Sequence, residues 1–108
     1  MKIKIALCDD DAKALPVIAG AAESAFQEKG IYTDIQRFTS GKALLQAMEQ
    51  TRFQIILLDI EMPGMDGIAV GKKVRAQGND TQIVYVSEAD SRVFESFLVQ
   101  PLGFVRSQ

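Results

Sequence analysis

The sequence predicts an α/β domain, a doubly wound parallel sheet of five strands with helices on both sides. Two observations predict it. Short apolar runs alternate with helix-length amphipathic stretches along the whole chain, the pattern of strand–helix–strand units. Two of those runs also stop abruptly at acids: Ile3 to Cys8 runs into Asp9-Asp10-Asp11, and Ile55 to Leu58 runs into Asp59. A strand that ends in an acid puts that acid on the carboxyl rim of the sheet, where open α/β folds build their sites. The 108 residues suffice for one domain with one core.

The elements follow in order. Lys2 to Cys8 reads as the first strand. Lys13 to Lys29 reads as a helix with Leu15, Ile18, Ala19, Ala22 and Phe26 at helical spacing. Asp11 is expected to cap it, Pro16 is tolerable near the first turn, and Gly30 ends it. Tyr32 to Phe38 alternates and reads as a second strand. Ser40 then caps a helix through Gln50, with Leu44, Leu45 and Met48 on one face. Phe53 to Leu58 is a third strand, apolar throughout and so expected to be covered on both faces. Gly67 to Gln77 reads as a third helix closed by Gly78. Gln82 to Val86 is a fourth strand, Asp90 to Leu98 a weak fourth helix, and Leu102 to Val105 a short fifth strand. No helix follows to cover that strand. The expectation is a domain over residues 1–108 taken from a longer chain with a C-terminal output domain.

Composition removes several function classes. The formal net charge is -2 and the pI is near 5, which gives no support to nucleic-acid binding by this segment itself. The absence of histidine removes His-based triads and His-ligated metals. Cys8 is the only cysteine, so no intrachain disulfide can form; it reads as a small buried hydrophobe. No apolar run approaches a membrane span, and the start of the chain turns acidic by Asp9, unlike a signal peptide. A cytoplasmic location without membrane attachment follows by default.

With the first and third strands side by side, Asp9, Asp10 and Asp59 converge on one rim. Carboxylates a few ångströms apart do not all ionise cheaply without a cation. Oxygen ligands alone point to Mg²⁺, which keeps several waters and takes one or two carboxylates. A carboxylate such as Asp59 can attack phosphorus to form an aspartyl-phosphate. Ser87, after Ile83-Val84-Tyr85-Val86, stands where a hydroxyl could bond the phosphoryl group.

These residues resemble a family. Asp9-Asp10, the run Asp59-Ile60-Glu61-Met62-Pro63-Gly64-Met65-Asp66-Gly67, and Val86-Ser87 are similar, in order, to the motifs of response-regulator receiver domains of two-component signalling. The resemblance covers essentially the whole chain. It implies the flavodoxin-like receiver topology. It makes Asp59 the phosphoacceptor and Asp10 and Asp59 direct Mg²⁺ ligands, with Asp9 acting through water and the backbone carbonyl of Glu61 completing the set. Ser87 becomes the switch hydroxyl and Phe104 the switch aromatic. The late segment from Val93 to Arg106 is similar to receivers that precede a LytTR-type DNA-binding domain. The partners implied are a sensor histidine kinase, a second receiver in a phosphorylated homodimer, and DNA through an output domain. Such a domain catalyses only its own phosphoryl transfer and hydrolysis. Two departures stand out. Ser107 occupies the position of the family's lysine after the fifth strand, with Arg106 one residue earlier and so on the opposite strand face. Glu88 replaces a residue that is usually small.

Other readings remain. Asp9-Asp10-Asp11 also suits a strand-end turn with a helix cap, Ser87 an ordinary strand-end hydroxyl, and Phe104, Phe94 and Phe97 plain packing. Pro63, Gly64 and Asp66-Gly67 read as residues that shape the loop behind Asp59. Two functional alternatives share the sequence. One is a pseudo-receiver, an interaction module without phosphorylation, favoured by the missing lysine. The other is a haloacid dehalogenase-type phosphatase with Asp9 as nucleophile, disfavoured by Ala12 and Lys13 and by the lack of a cap domain.

Overall fold

The structure, a computed structural model, describes residues 2–62, 64–78 and 80–86. Within them run β1 (Lys2–Cys8), α1 (Ala14–Glu28), β2 (Tyr32–Phe38), α2 (Gly41–Ala47), β3 (Ile55–Asp59), α3 (Gly67–Ala76) and β4 (Gln82–Val86). The strands form one parallel sheet in the order β2-β1-β3-β4. The expected fourth helix and fifth strand lie outside the described residues.

Strand periodicity divides the core in two. Ile3, Ile5, Leu7, Ile55, Leu57 and Val86 face α1, which returns Leu15, Ile18, Ala19, Ala22 and Phe26. The alternate residues Ala6, Cys8, Ile56 and Leu58 face α2 and α3, which return Leu44, Val70 and Val74. Helices therefore cover both faces, as the unbroken apolar run of β3 requires. Each fully buried aliphatic side chain contributes roughly 1.5–3 kcal/mol relative to exposure.

The helix ends show local sequence at work. At the end of α1, Gly30 adopts φ 76°, its N–H donates to the Gln27 carbonyl, and the Ile31 N–H donates to Phe26. These are the paired bonds of a Schellman motif. Ser40 Oγ accepts from the Ala43 N–H at 3.1 Å, and Asp66 Oδ1 accepts from the Ala69 N–H at 2.8 Å, each satisfying a free donor at a helix start.

Three expectations need correction. Asp11 does not cap α1: Lys13 holds the cap position without a side-chain bond, and Asp11 Oδ1 accepts from the Lys13 N–H one turn earlier. The acid tightens the loop into the helix, so α1 begins at Ala14. The second helix stops at Ala47 rather than Gln50, although Met48, Glu49 and Gln50 are competent helix formers. Tertiary packing overrides propensity here, because Phe53 is 1% exposed and meets the Phe38 ring edge-on at 6.0 Å, which turns the chain inward. For the same reason Phe53 lies before β3 rather than in it. Its carbonyl accepts a bond from the buried Thr81 hydroxyl at 2.8 Å, while Asp59 joins the strand opposite Val86.

Candidate functional site

The register of the two central strands builds the site. Cys8 pairs with Leu58, so the next residues, Asp9 and Asp59, stand level at the carboxyl rim. Asp9, Asp10 and Asp59 each bring a carboxylate oxygen within 4.8 Å of the others. Asp9 and Asp59 are each only 9% exposed, and Asp10 faces solvent. Among the described residues this is the one cluster of three such ligands.

Backbone turns fix the acids. The Asp9 N–H donates to the Phe38 carbonyl of β2, and Asp9 Oδ1 accepts from the Asp11 N–H at 2.9 Å. Asp59 Oδ1 meets the Glu61 N–H at 3.4 Å, a long and weak bond. Glu61 is exposed, two residues beyond Asp59. Beneath the acids, the Cys8 thiol contacts the Met62 sulfur at 3.7 Å, and both residues are buried.

The electrostatics are those of a site short of positive charge. Burial pushes Asp59 up to about 6; the charge of Asp9 and, more weakly, of Asp10 push the same way, and the Glu61 N–H opposes them. Cys8 is pushed up to about 12, first by burial and then by Asp9, Asp59 and Asp10. Three oxygen donors with no nitrogen or sulfur ligand suit a hard cation such as Mg²⁺, which would offset the repulsion that adds to burial at Asp59.

Asp9, Asp10 and Asp59 are thus brought together, and Glu61 borders them. Ser87, Glu88, Phe104, Arg106 and Ser107 lie outside the described residues. Sequence reasoning missed one contributor. It placed Asp66-Gly67 behind Asp59 as a loop-shaping pair, but not the closeness of the approach. The Gly67 N–H donates to the Ile60 carbonyl at 2.8 Å, and a Cβ on Gly67 would overlap the Asp59 carbonyl oxygen. The signal was a glycine at a helix start, where serine or alanine would otherwise serve.

The chain is similar to several proteins. The chain is 32% identical over 105 residues to protein-glutamate methylesterase/protein-glutamine glutaminase 2 of Dechloromonas aromatica, covering 96% of this chain and 28% of that protein. It is 36% identical over 61 residues to the sensory transduction protein LytT of Oceanobacillus iheyensis, covering 56% of this chain and 24% of that one. With 28% and 24% of these proteins covered, the chain spans about a quarter of their length. Among solved structures, the response regulator TrrA of Thermotoga maritima in complex with Mg²⁺ and beryllofluoride aligns with TM-score 0.58 and 29% identity, over 79% of this chain and 68% of that one. A chain from the complex of the histidine kinase ThkA with TrrA aligns with TM-score 0.58 and 28% identity, over 79% of this chain and 67% of that one. No described helix is long and apolar enough to cross a membrane. Acid-tipped neighbouring strands and a match to the response regulator receiver domain over residues 5–100 together make this chain a member of that family, the receiver domain of a two-component response regulator.

Proposed function

We propose that this receiver is a phospho-accepting switch in which Asp59 is the phosphoacceptor. The observation that carries the reading is the convergence of the Asp9, Asp10 and Asp59 carboxylates within 4.8 Å. Asp9, Asp10, Asp59 and the Glu61 backbone carbonyl would hold Mg²⁺, which supplies positive charge against the phosphoryl oxygens. An Asp59 carboxylate oxygen attacks phosphorus on a phosphohistidine of the kinase. The P–N bond breaks, the imidazole nitrogen keeps the electron pair and takes a proton from water, and an acyl phosphate remains on Asp59. Near neutral pH Asp59 is largely ionised even at its raised pKa of about 6, so the nucleophile is ready. Water later hydrolyses the acyl phosphate and restores the carboxylate.

The new group adds about -1.5 to -2 charge and three acceptor oxygens. Ser87 turns toward it and Phe104 follows, changing the surface of the fourth helix and fifth strand. Two receivers then pair and bring output domains together on DNA. This is local charge chemistry biasing a two-state element. The kinase partnership is supported by the likeness to the TrrA–ThkA complex, and a longer parent protein by the length of the relatives. The transcriptional output rests on the likeness of the late segment to LytTR-linked receivers, so it is an analogy of family rather than of site.

The decisive experiment is mass spectrometry of the phosphopeptide after incubation with a small acyl phosphate and Mg²⁺. The expected result is one phosphoryl group on Asp59, lost in Asp59→Asn. Label on Asp9 instead would favour the haloacid dehalogenase-type phosphatase and reject the switch. The missing lysine at Ser107 favours a second reading, a pseudo-receiver that acts by binding alone. Beryllofluoride with Mg²⁺ separates the two, because the switch shifts the NMR resonances of Ser87 and Phe104 and the inert module does not.

A further inference from the structure

We propose that Gly67 is a positioning residue for the phosphoacceptor, acting as the backstop of the Asp59–Glu61 backbone. This deepens the proposed function and rests on it. The start of α3 returns to the end of β3 so closely that a side chain at 67 has no room. A Cβ there would overlap the Asp59 carbonyl oxygen and lie 2.9 Å from both the Asp59 carbonyl carbon and the Ile60 Cα. All three obstacles are backbone atoms, so no rotamer change relieves them. The Gly67 N–H also donates to the Ile60 carbonyl at 2.8 Å, and Gly67 is buried. Helix α3 therefore presses on the one stretch that carries both the nucleophile and the carbonyl offered to the metal.

The front of that stretch is held loosely, since among the described residues its own loop reaches the Asp59 carboxylate only through the 3.4 Å contact with the Glu61 N–H. Position must then come from behind. Asp66 locks the helix start through its 2.8 Å bond to the Ala69 N–H, and Val70 and Val74 anchor α3 in the core. Displacing Asp59 and Glu61 by a few tenths of an ångström spoils a site that depends on converging oxygens.

A core residue in the other layer supplies the control. Phe26 is fully buried with α1 on the opposite face of the sheet, and it is part of neither the α2–α3 layer nor the acid rim. Mg²⁺ is titrated into wild type, Gly67→Ala and Phe26→Leu, with circular dichroism reporting the folded fraction. Gly67→Ala is expected to weaken Mg²⁺ binding about 10-fold or more and to slow phosphorylation by acyl phosphate, while Phe26→Leu loses stability but keeps Mg²⁺ affinity within about 2-fold. Folded Gly67→Ala with wild-type Mg²⁺ affinity overturns the inference. Because Gly67→Ala can fail to fold, wild type carries a second measurement, the scalar coupling across the Gly67 N–H to Ile60 carbonyl bond. It must persist in the Mg²⁺–beryllofluoride form; its loss there overturns the backstop. Failure of wild type to bind Mg²⁺ at all instead rejects the proposed function, so the two failures are distinct.

Discussion

Strand β3 contains two opposite designs in five residues. From Ile55 to Leu58 every side chain is at most 5% exposed and packs into an apolar layer on one face or the other. Asp59, next in line, is nearly as buried at 9%, yet its neighbours are two more acids. The same removal from water that stabilises Leu57 and Leu58 works against Asp59. The core thus supplies the stability that holds a repulsive rim in place, and a cation bound at the rim would meet acids already assembled.

Four measurements sharpen or break that contrast. The largest effect is expected in the interior: Leu57→Ala should lower the unfolding free energy by about 2–5 kcal/mol in urea titration. A loss below 1 kcal/mol would mean that β3 is not the central strand of the core. At the rim the sign reverses. Asp59 has a higher pKa folded, about 6, than its ordinary value of 3.8, so the folded state holds the proton more tightly. Stability is therefore lost as pH rises through that window. Asp59→Asn, which cannot ionise, should stabilise the metal-free protein by about 3 kcal/mol at most above pH 6, with no gain below pH 3.8. Thermal melts from pH 3 to pH 8 test this, and a gain that is flat with pH would refute the electrostatic cause.

Magnesium should come next in size. At a concentration about 100 times its dissociation constant it stabilises wild type by about 2.7 kcal/mol, and Asp59→Asn by clearly less. Equal melting shifts in both proteins would place the ion elsewhere. The smallest effect belongs to half-buried Thr33 on β2, whose buried hydroxyl has no hydrogen-bond partner among the described residues. Thr33→Val keeps the shape and removes that cost, so the midpoint of urea unfolding should rise by the equivalent of roughly 1 kcal/mol.

How legible all this was in the sequence depended on which force decided each feature. β1, β2 and β4 have the bounds that alternation and apolar runs predict: β1 stops at its acids, and β2 lies between Gly30 and Ser40. That β3 is covered on both faces was legible from its unbroken apolar run, whereas its pairing with β1, and with it the meeting of Asp9 and Asp59, was a supposition that the strand register bears out. The early end of α2 was not legible, since nothing local in Met48-Glu49-Gln50 stops a helix and the cause is Phe53 reaching the core. Nor was the role of Asp11, whose side chain had a nearer N–H to serve than the helix start. The squeeze at Gly67 depends on two backbones meeting in space, which no residue pattern records.

The sulfur pair under the rim bears on which ions the acids can hold. Cys8 sits one residue before Asp9, against Met62 and pushed up to about 12, so near neutrality it remains a thiol rather than a thiolate. A thiolate there would give zinc or copper a soft anchor alongside the carboxylates. Kept protonated, it leaves the chemistry of the rim to hard oxygen, and the acids that repel one another also hold that proton on sulfur.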